Sequence, residues 1–225
     1  MPATAVRTVA SQPRPIPAAP SDAFPALDRL GVVASVKRGQ TLFHEGDRAQ
    51  FYFKVVTGAV RTCKLLADGR RHVVDFHLPG DFIGFDGEAD YTTTAEAVTD
   101  ATLVRYARRS VDSLAAEEPR IGRHLLTIAC QGLSRAQQQM VLLGRKSAEE
   151  RIASFLLTML KRNGANGTLC LPMTRADIGD HLGLTLETVS RALTQLRRLG
   201  IIELKGSHDI VICNRAALED AAEAA

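Results

Sequence analysis

Residues 174–199 read Thr174-Arg175-Ala176-Asp177-Ile178-Gly179-Asp180-His181-Leu182-Gly183-Leu184-Thr185-Leu186-Glu187-Thr188-Val189-Ser190-Arg191-Ala192-Leu193-Thr194-Gln195-Leu196-Arg197-Arg198-Leu199. Two short helical periods meet at a tight turn. Thr174 is placed to cap the first, with Asp177 three residues on as its capping-box partner. Ile178 and Leu182 share one face. Gly183 follows, where a left-handed backbone costs glycine little. Thr185 caps the second period, in which Val189, Leu193 and Leu196 form a buried stripe. At about 100° per residue, Glu187, Arg191, Thr194 and Arg198 fall on the opposite face. A helix-turn-helix needs this pattern: one helix braces, and the N-terminal residues of the other enter the major groove. Arg191 can span O6 and N7 of guanine with two hydrogen bonds. Glu187 can accept from the exocyclic amine of cytosine or adenine, although a carboxylate there also suits the helix dipole. On spacing alone, an ordinary helical hairpin with a solvated polar face remains the competing reading.

Downstream, residues 200–204 and 209–212 bracket Lys205-Gly206-Ser207-His208 as a β-hairpin, which after a helix-turn-helix is a wing. Lys205 and His208 either touch phosphates or make a soluble turn. Asn214 can cap a last short helix. Upstream, Ser147-Ala148-Glu149-Glu150 is a capping box opening a helix whose buried face is Ile152, Phe155, Leu156 and Met159. Its end is expected near Asn163-Gly164 and Asn166-Gly167, and a hinge near Gly144 to Ser147. Before that runs a long helical pattern from Ser110 to Gly144, broken by Pro119. Ile121, Leu125, Ile128, Gly132, Ala136, Met140 and Leu143 recur along it at steps of three or four. Leu126, Cys130 and Leu133 make a second stripe. One stripe can cover the domain before it and the other a second subunit. A single broad core-facing surface is the alternative.

Between Val32 and Arg105 short β-rich runs alternate with glycine turns. The runs are residues 41–43, 51–56, 59–63, 72–76 and 103–106, and turns every 8 to 12 residues predict an antiparallel barrel or sandwich. The first 25 residues carry six of the nine prolines and read as a flexible or extended arm. Net charge is only +3 among 225 residues, so local charge, not the total, must decide for or against nucleic acid. No run approaches the ~20 apolar residues of a membrane span, and no apolar signal core opens the chain; a cytoplasmic location is expected. Cys63, Cys130, Cys170 and Cys213 are far apart and read as free thiols, with no metal site. A nucleophile elbow, a His-Glu-x-x-His and a P-loop are all missing, which argues against an enzyme.

Asp177-Ile178-Gly179, Leu182-Gly183 and Glu187-Thr188-Val189-Ser190-Arg191 resemble the recognition motif of the CRP/FNR family of bacterial transcription regulators. The Glu-x-x-Ser-Arg spacing is similar to that of its FNR and FixK branches, whose members read a TTGA half-site. A second motif set resembles the family's β-roll: Gly39, Glu45-Gly46-Asp47, Val55 to Gly58, Asp68-Gly69-Arg70 and Gly80-Asp81-Phe82-Ile83-Gly84. The resemblance runs from about residue 30 to 213. It implies an α+β chain with a flexible arm (1–25), a β-roll (26–109), a dimerisation helix and hinge (110–145) and a winged helix-turn-helix (146–225). It also implies a homodimer on a palindrome close to TTGA, a six-base spacer, then TCAA, acting as an activator in the low-oxygen response, with RNA polymerase as a further partner. Leu186, Glu187, Thr188, Ser190 and Arg191 are the base-reading candidates. Arg175, Arg197, Arg198 and Lys205 are candidates for phosphate. Ile121, Leu125, Ile128, Met140 and Leu143 are assigned to the dimer helix.

Family rolls often hold an effector. Members that bind a cyclic nucleotide use a Gly-Glu and then Arg-Ser/Thr-Ala. Here the stretch is Gly84-Phe85-Asp86-Gly87-Glu88 followed by Thr92-Thr93-Thr94-Ala95, with Thr93 where arginine is expected. Residues 72–104 hold no lysine or arginine but seven carboxylates: Asp75, Asp81, Asp86, Glu88, Asp90, Glu96 and Asp100. A phosphate there meets an unpaired negative field. An iron–sulfur cluster needs about four thiolates, and no cysteine precedes Cys63. His44, His72, His77 or Cys63 would have to serve a haem. The resemblance therefore favours the cofactor-free FixK branch. The competing reading is a ligand-responsive regulator whose roll takes a small metabolite or haem. Cys170 and Cys213, flanking the motif, are candidates for oxidative tuning.

Overall fold

The computed structural model describes residues 25–85, 89–163, 167–206 and 208–223. The expected arm, as far as residue 24, lies outside the described residues, as do Asp86, Gly87, Glu88, Gly164, Asn166 and Ser207.

A short helix α1 (Pro25–Leu30) leads into eight strands: β1 (Gly31–Val36), β2 (Thr41–Phe43), β3 (Phe51–Thr57), β4 (Val60–Leu65), β5 (Arg71–His77), β6 (Phe82–Ile83), β7 (Thr94–Ala97) and β8 (Ala101–Ala107). They form two antiparallel four-stranded sheets, ordered β1-β8-β3-β6 and β2-β7-β4-β5. This is the expected roll. The five runs read from the sequence coincide with β2, β3, β4, β5 and β8 to within two residues. Alternation drives Phe43, Phe53, Val55, Val60, Ala95 and Leu103 into the space between the sheets. Tyr91 joins them, its ring stacked on Phe43 with centroids 3.6 Å apart. Its hydroxyl donates to the Phe51 carbonyl at 2.7 Å and accepts from the Phe51 amide. That satisfies both capacities of a polar group that is costly to bury unpaired.

Helices α2 (Arg108–Glu117) and α3 (Pro119–Arg145) follow, with Pro119 at the first turn of the second, where its missing amide costs nothing. A second cluster gathers Leu27 of α1, Phe82, Tyr106, Val111 and Ile121. It fastens the start of α3 to the roll.

The last part comprises α4 (Ala148–Asn163), β9 (Thr168–Cys170), α5 (Arg175–Leu182), α6 (Leu186–Arg198), β10 (Ile202–Lys205), β11 (Asp209–Ile212) and α7 (Arg215–Glu223). The Ser147–Glu150 capping box is formed: the Ser147 amide donates to the Glu150 carboxylate at 2.6 Å and the Ser147 hydroxyl accepts from the Glu150 amide at 3.4 Å. Asn214 caps α7 through the Ala217 amide. Strands β10, β11 and β9 make a three-stranded wing, and Lys205 lies at the end of β10 instead of in the turn.

The third and largest cluster crosses the boundary between the two halves. Val73, Phe76 and Leu78 of the roll pack with Phe155, Met159, Ile178 and Leu182. The outer face of the β4–β5 pair is therefore an interdomain surface, not a solvated one.

Candidate nucleic-acid interface

The two-helix unit forms as its caps dictate. The Thr174 hydroxyl accepts from the Asp177 amide at 3.1 Å, and the Asp177 carboxylate accepts from the Thr174 amide at 3.0 Å. Gly183 closes α5 at φ +64°. The turn is tight enough to dictate a second glycine: a Cβ on Gly179 would lie 2.7 Å from the Leu184 carbonyl oxygen. Thr185 caps α6 by accepting from the Thr188 amide. Val189, Ala192, Leu193 and Leu196 are buried, which leaves the opposite face of α6 to solvent.

That face carries Glu187 and Arg191, Thr188 and Ser190 flank it, and Leu186 opens the first turn. Leu186 is 47% exposed although apolar. Glu187 and Arg191 are exposed, and Thr188 and Ser190 are half-buried. Arg191 donates weakly to the Thr188 hydroxyl at 3.4 Å, which holds the guanidinium near the helix start without occupying it. The Glu187 carboxyl is held below its ordinary range by its own backbone amide, then by the Thr185 hydroxyl and the Arg191 charge. It is an anion at neutral pH and so an acceptor only.

The phosphate candidates fall in different settings. Arg197 and Arg198 are exposed in the last turn of α6. Arg175 donates to the Ser190 hydroxyl at 3.4 Å, bridging the start of α5 to α6. Lys205 is exposed and lies 3.7 Å from Glu203, a pair worth little in water. His208 is engaged within the chain, where its Nδ1 sits 2.8 Å from the Leu171 carbonyl oxygen and ties the start of β11 to the segment between β9 and α5. The Thr194 hydroxyl is spent on the Ser190 carbonyl, one turn back.

The five residues assigned to the dimer helix fall in different settings within the single chain. Ile121 is 1% exposed against the chain's own roll, and Leu125 and Ile128 pack partly on the same cluster. Ile121 is thus closed to a second chain, while Leu125 and Ile128 keep part of their surface open. The exposed apolar residues of α3 are Leu126 (63%), Leu133 (60%), Met140 (66%) and Val141 (60%). Of the five residues first assigned, only Met140 belongs to that stripe; Leu143 lies half-buried near Gly183. Two stripes 100° apart are equivalent on a helical wheel until the roll chooses one.

Electrostatics in the roll also differ from the sequence expectation. Asp75 pairs with Arg135 of α3 at 3.1 Å and with Arg162 of α4 at 3.5 Å, and Asp81 pairs with Arg162 at 2.5 Å. Asp90, Glu96 and Asp100 pair with Arg48, Arg61 and Lys37. The missing cations thus arrive from outside residues 72–104, and the described carboxylates are compensated. A cavity of about 420 Å³ lies between the roll, α3 and α4, with Thr62, His77, Thr93, Arg135 and Arg162 in its wall. Both of its arginines are committed to Asp75 and Asp81. The His77 ring is buried, with Nε2 3.2 Å from the Thr62 hydroxyl. His44 is exposed in the turn after β2, and His72 is half-buried on β5.

Among the cysteines, Cys63 is buried, Cys170 is half-buried at the end of β9, and Cys130 and Cys213 are exposed. Burial pushes the Cys63 thiol up, against the pull of Arg61 and Arg71. Among the described residues no helix is long and apolar enough to cross a membrane.

Comparison with known proteins adds to this geometry. Residues 33–118 match the cyclic nucleotide-binding domain family, and residues 150–221 the Crp-like helix-turn-helix domain family. The nitrogen fixation regulation protein FixK of Rhizobium meliloti is 43% identical over 187 residues, 83% of this chain and 85% of that protein. The transcriptional activator protein FnrL of Cereibacter sphaeroides is 36% identical over 206 residues, 88% of this chain and 83% of that one. The solved structure of FixK2 from Bradyrhizobium japonicum superposes with a TM-score of 0.82 at 42% identity, covering 85% of this chain and 96% of that one.

Proposed function

Because this chain belongs to the CRP/FNR family of bacterial transcription regulators, we propose that it is a FixK-type transcriptional activator that binds DNA as a homodimer. Its operator is an inverted repeat close to TTGA, six bases, TCAA. Each subunit lays the start of α6 in the major groove of one half-site. Arg191 reads the guanine with two parallel hydrogen bonds. Glu187 accepts from amines on the opposite strand, and Leu186 or Thr188 meets a thymine methyl. Ser190, joined to Arg175, positions the helix. Arg197, Arg198, Arg175 and Lys205 neutralise phosphates.

The observation that carries this reading is the exposed Leu186–Glu187–Arg191 tip at the Thr185-capped start of a helix whose other face is buried. The solvent-facing Leu126–Leu133–Met140 stripe of α3 supplies the surface for a second copy. The protein is cytoplasmic and performs no catalysis. It meets RNA polymerase at the promoter and serves a low-oxygen programme, as the relation to nitrogen-fixation regulators suggests. It acts without a bound effector, since the cations around the roll cavity are already paired with carboxylates. Cys170 and Cys213 flank the two-helix unit, and their oxidation would tune docking.

Binding of the purified protein to a labelled TTGA-N6-TCAA duplex tests the proposal. Tight binding that is abolished when one half-site is scrambled is the expected result. Equal affinity for intact and scrambled duplexes contradicts it. A coloured or metal-bearing preparation whose DNA binding depends on that group would instead favour the ligand-responsive alternative.

A further inference from the structure

Brace helix α5 is clasped along its length by the rest of the chain. At its start, the Asp177 carboxylate, 3% exposed, makes two sets of contacts. One oxygen accepts from Thr174, completing the cap. The other accepts from Arg61 of β4 at 2.5 Å and from Arg71 of β5 at 2.7 Å. Arg71 also grips Asp180, one turn on, through Nε at 2.9 Å and Nη2 at 2.6 Å. Arg61 is itself held by Glu96 of β7. Further along α5, His181 Nδ1 lies 3.0 Å from the Val73 carbonyl oxygen, and its ring meets Phe76 and Phe155 edge-on. At its end, Arg151 of α4 donates to the carbonyls of Leu182, Leu143 and Lys146, and Gln139 of α3 donates to the His181 carbonyl.

These groups have little to do with holding α5 and α6 together; caps and core already do that. They fix the two-helix unit against the roll and against α3. In a dimer joined along α3, that posture sets the distance and twist between the two recognition helices. A one-base change in spacer moves a half-site by about 3.4 Å and about a tenth of a turn. A rigid posture therefore penalises the wrong spacer even when every base contact is intact. Arg61 and Arg71 donate in fixed fork geometry to partly or wholly buried carboxylates, the arrangement in which a charge pair is most directional.

We propose that Arg71 and Arg61 of the roll are positioning residues for DNA recognition: through Asp177 and Asp180 they hold the helix-turn-helix in one posture and so select the spacer length of the operator, without touching DNA. This deepens the reading above and rests on it. It also explains how a chain with no effector keeps its DNA-binding half in register, since its own side chains provide the clasp.

Arg71 and Asp180 are about one-third exposed, so substitutions there leave the buried Arg61–Asp177 pair in place and the chain folded. Affinities of wild type, Arg71→Gln, Asp180→Asn and Arg71→Lys are measured on duplexes with five-, six-, seven- and eight-base spacers and on a single half-site. Circular dichroism melting runs alongside. Wild type is expected to prefer the six-base spacer by about tenfold or more. Arg71→Gln and Asp180→Asn are expected to lose most of that preference while single half-site binding and the choice of guanine persist, with Arg71→Lys recovering part of it. A folded Arg71→Gln protein with the full spacer preference overturns the proposal. So does a uniform loss of affinity at every spacer and at the half-site, which would mark a purely structural role. If wild type itself ignores inverted repeats, it is the DNA-binding reading that fails, a result separable from either.

Discussion

At the level of single residues, the proposed recognition is concentrated at a few atoms of α6. Arg191 is the only base-reading candidate with a forked pair of donors, and it is exposed, with a weak bond to the Thr188 hydroxyl. Arg191→Ala is expected to cost on the order of 1–3 kcal/mol per half-site and to relax choice at the guanine. Affinities on duplexes altered at that base check it; a mutant uniformly weaker with the guanine preference intact would assign Arg191 to phosphate. Arg197 and Arg198 should behave in the opposite way. Each neutral substitution is expected to lower the salt slope of binding by about 0.9 with sequence choice unchanged, as salt titrations would reveal. Gly179 answers to sterics alone. Gly179→Ala pushes a methyl onto the Leu184 carbonyl and is expected to destabilise the fold by about 1–3 kcal/mol in denaturant melts. Much of this was legible in the sequence, because caps, turns and a helical face depend on neighbours only a few residues away. Arg175 joined to Ser190 and His208 joined to Leu171 were not, since both bonds close over loops that spacing does not describe.

Among the elements, α3 shows where sequence reading stops. Period and proline fixed its start and its two apolar stripes, yet which stripe meets the roll depends on the direction from which the roll approaches. The structure gives Ile121, Leu125 and Ile128 to the roll and leaves Leu126, Leu133, Met140 and Val141 bare. Leu133→Asp is therefore expected to convert a dimer to a folded monomer that no longer holds an inverted repeat, since no internal core is disturbed. Sedimentation equilibrium checks it, and a Leu133→Asp protein that remains dimeric would move the interface elsewhere. Ile121→Asp should instead unfold the roll. The strands were readable because glycine turns punctuate them. Helix α1 and the short strands β1, β6, β7 and β9 escaped because two to six residues carry too little periodicity.

In the whole molecule, the decisive feature joins residues 116 apart: Arg61 and Asp177. No local pattern announces such a pair, and the acid-rich roll segment looked unpaired until α3 and α4 brought Arg135 and Arg162 to it. The same boundary gives a pH dependence. Burial lowers the His77 and His181 values below the ordinary one of about 6.5. The unfolded chain then binds these protons first, so stability is full above about pH 6.5 and declines as pH falls below it. Asp75 adds a later loss. Burial works to raise its carboxyl, but His77, Arg162 and Arg135 hold it below the ordinary range, so its contribution disappears as pH falls through that depressed value. Tm should fall between pH 7 and 5, and His181→Gln should flatten the decline; an unchanged Tm would show that the boundary does not titrate.

All of these scales meet in the proposed arrangement, two identical tips held at a fixed separation on one duplex. Sequencing the DNA that the purified protein selects from a random pool tests that most directly. The account predicts enrichment of TTGA and TCAA in inverted orientation with six bases between them. Enrichment of an isolated half-site, of a direct repeat, or of no sequence at all would contradict it.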